Sequence, residues 1–160
     1  MKHAHWGALP LLGLATAMAA VAGATASVEA AAFYQQLSKP SWAPPAQVFG
    51  PVWSVLYVLM TMAAWLVVRA WGWPRARPAI ALYIVQLALN GLWTWLFFRW
   101  RLGGLAFVEI LVLWALLLLI VTTFFRVRFL AGLLMLPYLA WVTLAVGLTY
   151  AIWRRNPGVL

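Results

Sequence analysis

Leu102 to Phe125 reads LGGLAFVEILVLWALLLLIVTTFF, and its one ionisable side chain is Glu109. A helix needs about 20 apolar residues to cross a hydrocarbon core, and this stretch supplies them without a break. Lipid offers the backbone no hydrogen-bond partners, so the segment must satisfy its own N–H and C=O groups as a helix. On either side lie four more stretches of the same kind, Trp6 to Val28, Val48 to Val68, Pro78 to Phe98 and Phe129 to Trp153, none carrying a charge. The chain is 67% hydrophobic and 8% charged, a balance that no soluble domain of 160 residues could keep in solution. The fold class is all-α, an integral membrane bundle of five transmembrane helices at about 6–28, 48–68, 78–98, 102–125 and 129–153. These spans fill residues 1–160 as a single domain, with residues 29–47 as a lid loop between the first two.

The first stretch has two readings. Lys2, an apolar run and the small residues Ala24, Thr25 and Ala26 resemble a cleaved secretory signal, but the run exceeds the usual h-region of about 7–15 residues. Gly13 with Ala17, and Ala19 with Gly23, are small-xxx-small pairs suited to close helix packing. Alternate sides of the bundle carry Lys2, Arg69, Arg75, Arg77, Arg126 and Arg128 against Lys39, Arg99, Arg101, Arg154 and Arg155, a balance that sets no orientation. A net charge of +9 spread over both faces reads as headgroup anchoring, not as a nucleic-acid surface. Trp6, Trp71, Trp73, Trp100 and Trp153 fall near span ends, where amphipathic rings settle at the interface.

The inventory of reactive groups removes much enzyme chemistry. There is no cysteine and no aspartate, the acids are Glu29 and Glu109, and both histidines, His3 and His5, stand in the N-terminal tail. Thiol nucleophiles, paired carboxylates and metal clusters are therefore not expected within the bundle. No phosphate-cradling glycine loop occurs, and Gly103-Gly104 reads as a helix start or a close-packing point. Neither a metal nor a cofactor is expected.

The remaining polar and aromatic residues converge. Lys39-Pro-Ser-Trp-Ala-Pro-Pro45 has three prolines that fix φ and withhold donors, giving a rigid cover that offers the indole of Trp42. Beneath it, Trp53, Tyr57, Met60 and Ala64 share a face of the second span, Gln86, Asn90, Trp93 and Phe97 a face of the third, and Tyr138, Trp141, Ala145 and Leu148 a face of the fifth. Singly, such amides are interhelix hydrogen bonders at about 0.6 kcal/mol each, and the rings are core. Together they suit a pocket for a flat, largely apolar ligand. Glu109, on the lid side of its helix, marks a functional site, is protonated, or pairs with Arg99 or Arg101.

Several separated motifs occur in one order: Tyr34, Leu37, Lys39-Pro40-Ser41-Trp42, Pro44-Pro45, Phe49, Trp53, Leu56, Tyr57, Gln86-Leu87, Asn90, Trp93, Phe97-Phe98, Pro137-Tyr138 and Trp141. In these the chain resembles, over nearly its whole length, the TspO/MBR tryptophan-rich sensory proteins, also called translocator or peripheral benzodiazepine-receptor-like proteins. The resemblance implies a five-helix membrane protein, commonly a homodimer, binding porphyrins such as protoporphyrin IX, sterols and other planar hydrophobic ligands under the first loop. Carried over residue by residue, it implies ligand contacts at Tyr34, Trp42, Trp53, Tyr57, Asn90, Trp93, Tyr138, Trp141 and Ala145.

The expected role is that of a sensor, scavenger or carrier of tetrapyrroles. Light-dependent porphyrin degradation and transport of tetrapyrroles or sterols are the alternatives. Some bacterial members are reported to degrade porphyrin through two tryptophans; Trp141 resembles one, and Phe33 stands where the other is expected. Where members often carry Leu-Asn, this chain has Leu148-Thr149. Leu148, Tyr150 and Arg154 also fit a proposed sterol-contact pattern, which interface anchoring alone would satisfy. A helical bundle suits an inner, plasma or organellar membrane, because outer bacterial membranes mostly hold barrels. Some members of the family are nevertheless placed in the outer membrane, so either bacterial membrane stays open.

Overall fold

The computed structural model describes residues 7–160, so Lys2, His3, His5 and Trp6 lie outside the described residues. Six helices follow one another: α1 Ala8–Ala26, α2 Ala30–Gln36, α3 Phe49–Trp71, α4 Trp73–Thr94, α5 Gly103–Val127 and α6 Phe129–Arg155. All but α2 are long and apolar enough to cross a membrane, giving the five-helix bundle that hydropathy requires.

Two boundaries depart from the periodic reading. Gly72, with φ 75°, separates α3 from α4 in a left-handed conformation that costs a glycine nothing. Pro74 then sits in the first turn of α4, where a missing N–H breaks no bond, so the helix begins at Trp73, well before Pro78. At its other end α4 runs into a π turn over Trp95–Arg99, with Trp100 N–H donating to the Trp95 carbonyl at 2.8 Å. Arg101, at φ 55°, completes the reversal into α5.

The bundle is dense at one end and hollow at the other. Away from the lid, Met60, Ala64, Val67, Tyr83, Leu117, Phe124 and Met135 lose all contact with solvent. α5 and α6 pack against each other most extensively, joined through Arg128 alone. Close approach there depends on Gly132, where any Cβ would overlap the Phe125 ring. Gly103 and Gly104 open α5 directly against the Trp153 indole. The small-residue pairs of α1 differ: a Cβ at Gly13 would meet open space, whereas Gly23 is buried with a Cβ position 3.7 Å from Thr94 Oγ1 of α4, and α1 also buries Ala8, Leu12 and Thr16.

The cover contains an element that the proline pattern does not show, the two-turn helix α2, which presses Phe33 and Tyr34 inward. Ser38–Pro45 follows in extended and turn conformations and is tied at three places. Tyr34 O–H donates to the Pro44 carbonyl at 2.9 Å, and burial raises this phenol above its ordinary range, so it stays a donor. Lys39 Nζ caps the end of α2 through the carbonyls of Tyr34 at 2.7 Å and Leu37 at 2.9 Å.

At the end of α6, the capping residue Asn156 pairs with the Ser38 backbone in both directions, at 2.9 and 3.0 Å, and Arg155 donates to the Lys39 carbonyl at 3.1 Å. Asn156→Ala removes the paired bonds. The Ser38 amide is therefore expected to exchange with solvent deuterium roughly tenfold faster or more, while exchange in the dense half stays unchanged.

Candidate functional site

Between the lid and the dense half lies a cavity of about 420 Å³, walled by α1, α2, α3, α4, α5 and α6. Small residues on one side, Ala20, Gly23, Ala24, Ala30, Ala31 and Gly50, let the backbone approach without filling the space. Aromatic rings form the opposite walls. Trp93 and Phe97 stack at 5.3 Å with planes 15° apart, and Phe98 meets Trp93 edge-on at 5.8 Å. The π turn matters here, because widening the helix by one residue brings the consecutive Phe97 and Phe98 both onto the wall. Tyr34, Phe49 and Trp141 form a second run of edge contacts at 5.3 and 5.7 Å, and Trp53 lies against Tyr57 at 5.4 Å.

A directed chain of hydrogen bonds runs beneath. Tyr57 O–H donates to Asn90 Oδ1 at 3.1 Å, Asn90 Nδ2 donates to the Tyr138 oxygen at 3.1 Å, and Tyr138 O–H donates to Gln86 Oε1 at 2.9 Å. Gln86 Nε2 ends the chain on Met60 Sδ at 3.8 Å. Three helices are thereby fastened at a depth where water cannot substitute for a lost partner. The interhelix reading of Asn90 and Gln86 therefore describes their hydrogen bonds, although Asn90 also reaches the wall.

Of the residues predicted for the site, Tyr34, Trp53, Tyr57, Asn90, Trp93, Trp141 and Ala145 line this one cavity. Tyr138 does not reach the wall: it is wholly buried in the polar chain below, edge-on to Trp53 at 6.0 Å. Trp42 is also absent from the wall. The turn closed by Ala43 N–H on the Pro40 carbonyl leaves its indole half-exposed over Gly147, on the outer side of α6. Leu148, Tyr150 and Arg154 are not brought to one surface. Leu148 is buried on the cavity wall, while Tyr150 is exposed beside Phe107 and Trp153, and Arg154 lies over the Trp153 ring. Phe33 sits off the wall, packed in the apolar cluster under the lid with the Arg101 guanidinium over its ring at 4.7 Å.

Three buried groups have no hydrogen-bond partner among the described residues: Trp93 Nε1, Thr149 Oγ1 and both oxygens of Glu109. The expected pairing of Glu109 with Arg99 or Arg101 is not formed, because both arginines point from exposed or half-exposed positions at the helix end while the carboxyl is held inside the bundle. Thr149 is a wall residue that stripe reasoning from Tyr138, Trp141, Ala145 and Leu148 passes over. Its signal in the sequence is a hydroxyl four residues beyond Ala145, on the same helical face.

Comparison with known proteins agrees with this architecture. The profile of the TspO/MBR family matches residues 10–154. The chain is 40% identical over 145 residues to protein CrtK of Rhodobacter capsulatus, covering 87% of this chain and 88% of that one. It is 39% identical over 124 residues to the tryptophan-rich sensory protein of Cereibacter sphaeroides, covering 78% and 77%. Human translocator protein is likewise 39% identical over 128 residues, covering 79% and 76%. With a profile match across nearly all of the bundle and relatives aligned over most of both lengths, the chain belongs to the TspO/MBR family of membrane proteins.

Proposed function

We propose that this membrane protein binds a porphyrin or similar planar tetrapyrrole in the cavity beneath its lid, serving as a sensor, scavenger or carrier. The observation that carries the reading is the cavity itself, about 420 Å³ between flat indole and phenyl faces, with Ala30, Ala31 and Tyr34 of α2 on its wall. That volume falls within the range of about 300–1,000 Å³ usual for small-molecule sites. A conjugated macrocycle is thin, rigid and apolar over most of its area, so it gains stacking and desolvation here at little conformational cost. Human translocator protein and the bacterial sensory protein carry names of transport and signalling, and either use begins with capture of a ligand.

Titration of the purified protein in detergent with protoporphyrin IX in the dark tests the reading. Saturable quenching of tryptophan emission, with a matching shift in pigment absorption, is the expected result; linear, unsaturable quenching would remove the tetrapyrrole from consideration. Trp141 on the wall also supports a second reading, in which an indole supplies an electron to the excited pigment. Illumination of the complex beside a Trp141→Phe control separates the two. Stable pigment belongs to a binder, and bleaching that requires Trp141 belongs to an enzyme.

A further inference from the structure

The cavity wall holds more hydroxyls than it leaves free. Ser27, Ser54 and Thr94 on that wall each return their O–H to a carbonyl one turn earlier, at 2.8, 3.0 and 3.3 Å. The other helical serines and threonines described do the same, whether buried like Thr16 or exposed like Thr122 and Thr143. Thr149 alone does not. Its side chain is 1% exposed, its oxygen has no partner among the described residues, and it lines the cavity. A helical threonine gains its back-bond by simple rotation about χ1, so a buried one that forgoes it leaves an uncompensated polar group.

A second unspent donor lies at the same depth. Trp93 is about 9 Å along its helix from Arg99, and Thr149 about 9 Å from Arg155, both helices ending on the lid side. Trp93 lines the cavity, and its buried indole N–H has no acceptor among the described residues. Tyr57, by contrast, spends its hydroxyl on Asn90.

The electrostatics narrow what these donors can receive. Among the described residues no lysine or arginine lines the cavity. Lys39 is engaged by the carbonyls that end α2, and Arg101 lies over Phe33. Glu109, buried and without a hydrogen-bond partner among the described residues, is not on the wall. An ionised carboxylate on the ligand would find no counter-charge on this wall. An uncharged oxygen would find two donors and need no counter-charge.

We propose that Thr149 Oγ and Trp93 Nε1 form a two-donor seat for one uncharged oxygen of the ligand, a carbonyl or a hydroxyl, which makes Thr149 a specificity-determining residue. The proposal rests on the reading of the cavity as a tetrapyrrole site and adds the polar group by which a ligand is chosen.

Three porphyrins test it by tryptophan quenching in detergent: protoporphyrin IX dimethyl ester, with neutral carbonyls; etioporphyrin, with no oxygen; and protoporphyrin IX. Thr149→Val, which replaces the hydroxyl by a methyl group of equal size, is expected to weaken the diester about fivefold and to leave etioporphyrin within about twofold. Thr149→Ser, which keeps the hydroxyl, is expected to restore the diester, and Trp93→Phe to reproduce the loss. The wild-type protein is expected to prefer the diester to the free acid. Equal losses for diester and etioporphyrin, or no loss for either, would overturn the seat while leaving the cavity a tetrapyrrole site. Failure of all three pigments to saturate would instead overturn the tetrapyrrole reading and the seat with it. Unchanged thermal unfolding of Thr149→Val keeps the comparison free of folding effects.

Discussion

Ala145→Phe is expected to abolish saturable porphyrin binding and to leave the fold intact. Ala145 stands on the cavity wall one turn beyond Trp141 and is the smallest residue that α6 places there. A phenyl ring from that position has nowhere to go but into the open volume, because the flanking positions are already filled by Trp141, Leu148 and Thr149. A macrocycle and the new ring cannot share about 420 Å³, so affinity should fall by about a hundredfold or more. Core insertions usually destabilise because they force neighbours off their rotamers. Here the added atoms enter existing space, so thermal unfolding in detergent should not move downward. Wild-type affinity in this variant would place the ligand outside the cavity and end the proposed function.

Gly132→Val is expected to have the opposite pattern, with the fold lost before binding can be asked about. The clash falls on Cγ, Cδ1 and Cδ2 of Phe125, the root and flanks of the ring, so no rotation of a flexible tip relieves it. Sliding α5 past α6 would relieve it, but Arg128 alone joins the two helices and holds the register. Overpacking of this kind costs about 1–3 kcal/mol and occasionally more, and this interface is the most extensive in the bundle. Unfolding in detergent should shift to markedly milder conditions than in the wild type. Gly13→Ala, at a position open to the surroundings, should show no shift. A Gly132→Val protein as stable as wild type would mean that Phe125 has another place to lie.

Hydropathy made the five spans legible because lipid imposes a single solution on a long apolar run, whatever its neighbours do. Where the spans end was less legible. Pro78 looks like a boundary, yet Pro74 preorganises an earlier first turn, and the decision between two prolines belongs to Gly72 and its positive φ. The helix α2 is not legible in the sequence because Ala30–Gln36 is too short to show a period, and it forms where tertiary contacts bury Phe33 and Tyr34.

Helical spacing also placed most of the cavity wall, since residues three and four apart must share a face. It could not show how polar groups would be spent. That Tyr138 would bind both amides, that Trp42 would turn outward onto Gly147, and that Thr149 would be left without a partner each depend on a neighbouring helix's rotation. Such information is not carried by the spacing within one helix.

The fastening of the lid by Asn156 has a consequence for the order in which the protein is made. Ser38 and Asn156 are 118 residues apart in sequence, and the Arg155 bond to Lys39 spans nearly as many. A ribosome feeding a membrane therefore delivers the cover early, soon after the first helix, and the residues that fasten it only after the last helix has crossed. Throughout that interval the roof of the cavity has its own internal bonds, Tyr34 to Pro44 and Lys39 to the end of α2, but nothing tying it down. The bonds within the cover thus join residues made early, whereas its fastening needs residues that follow the last helix.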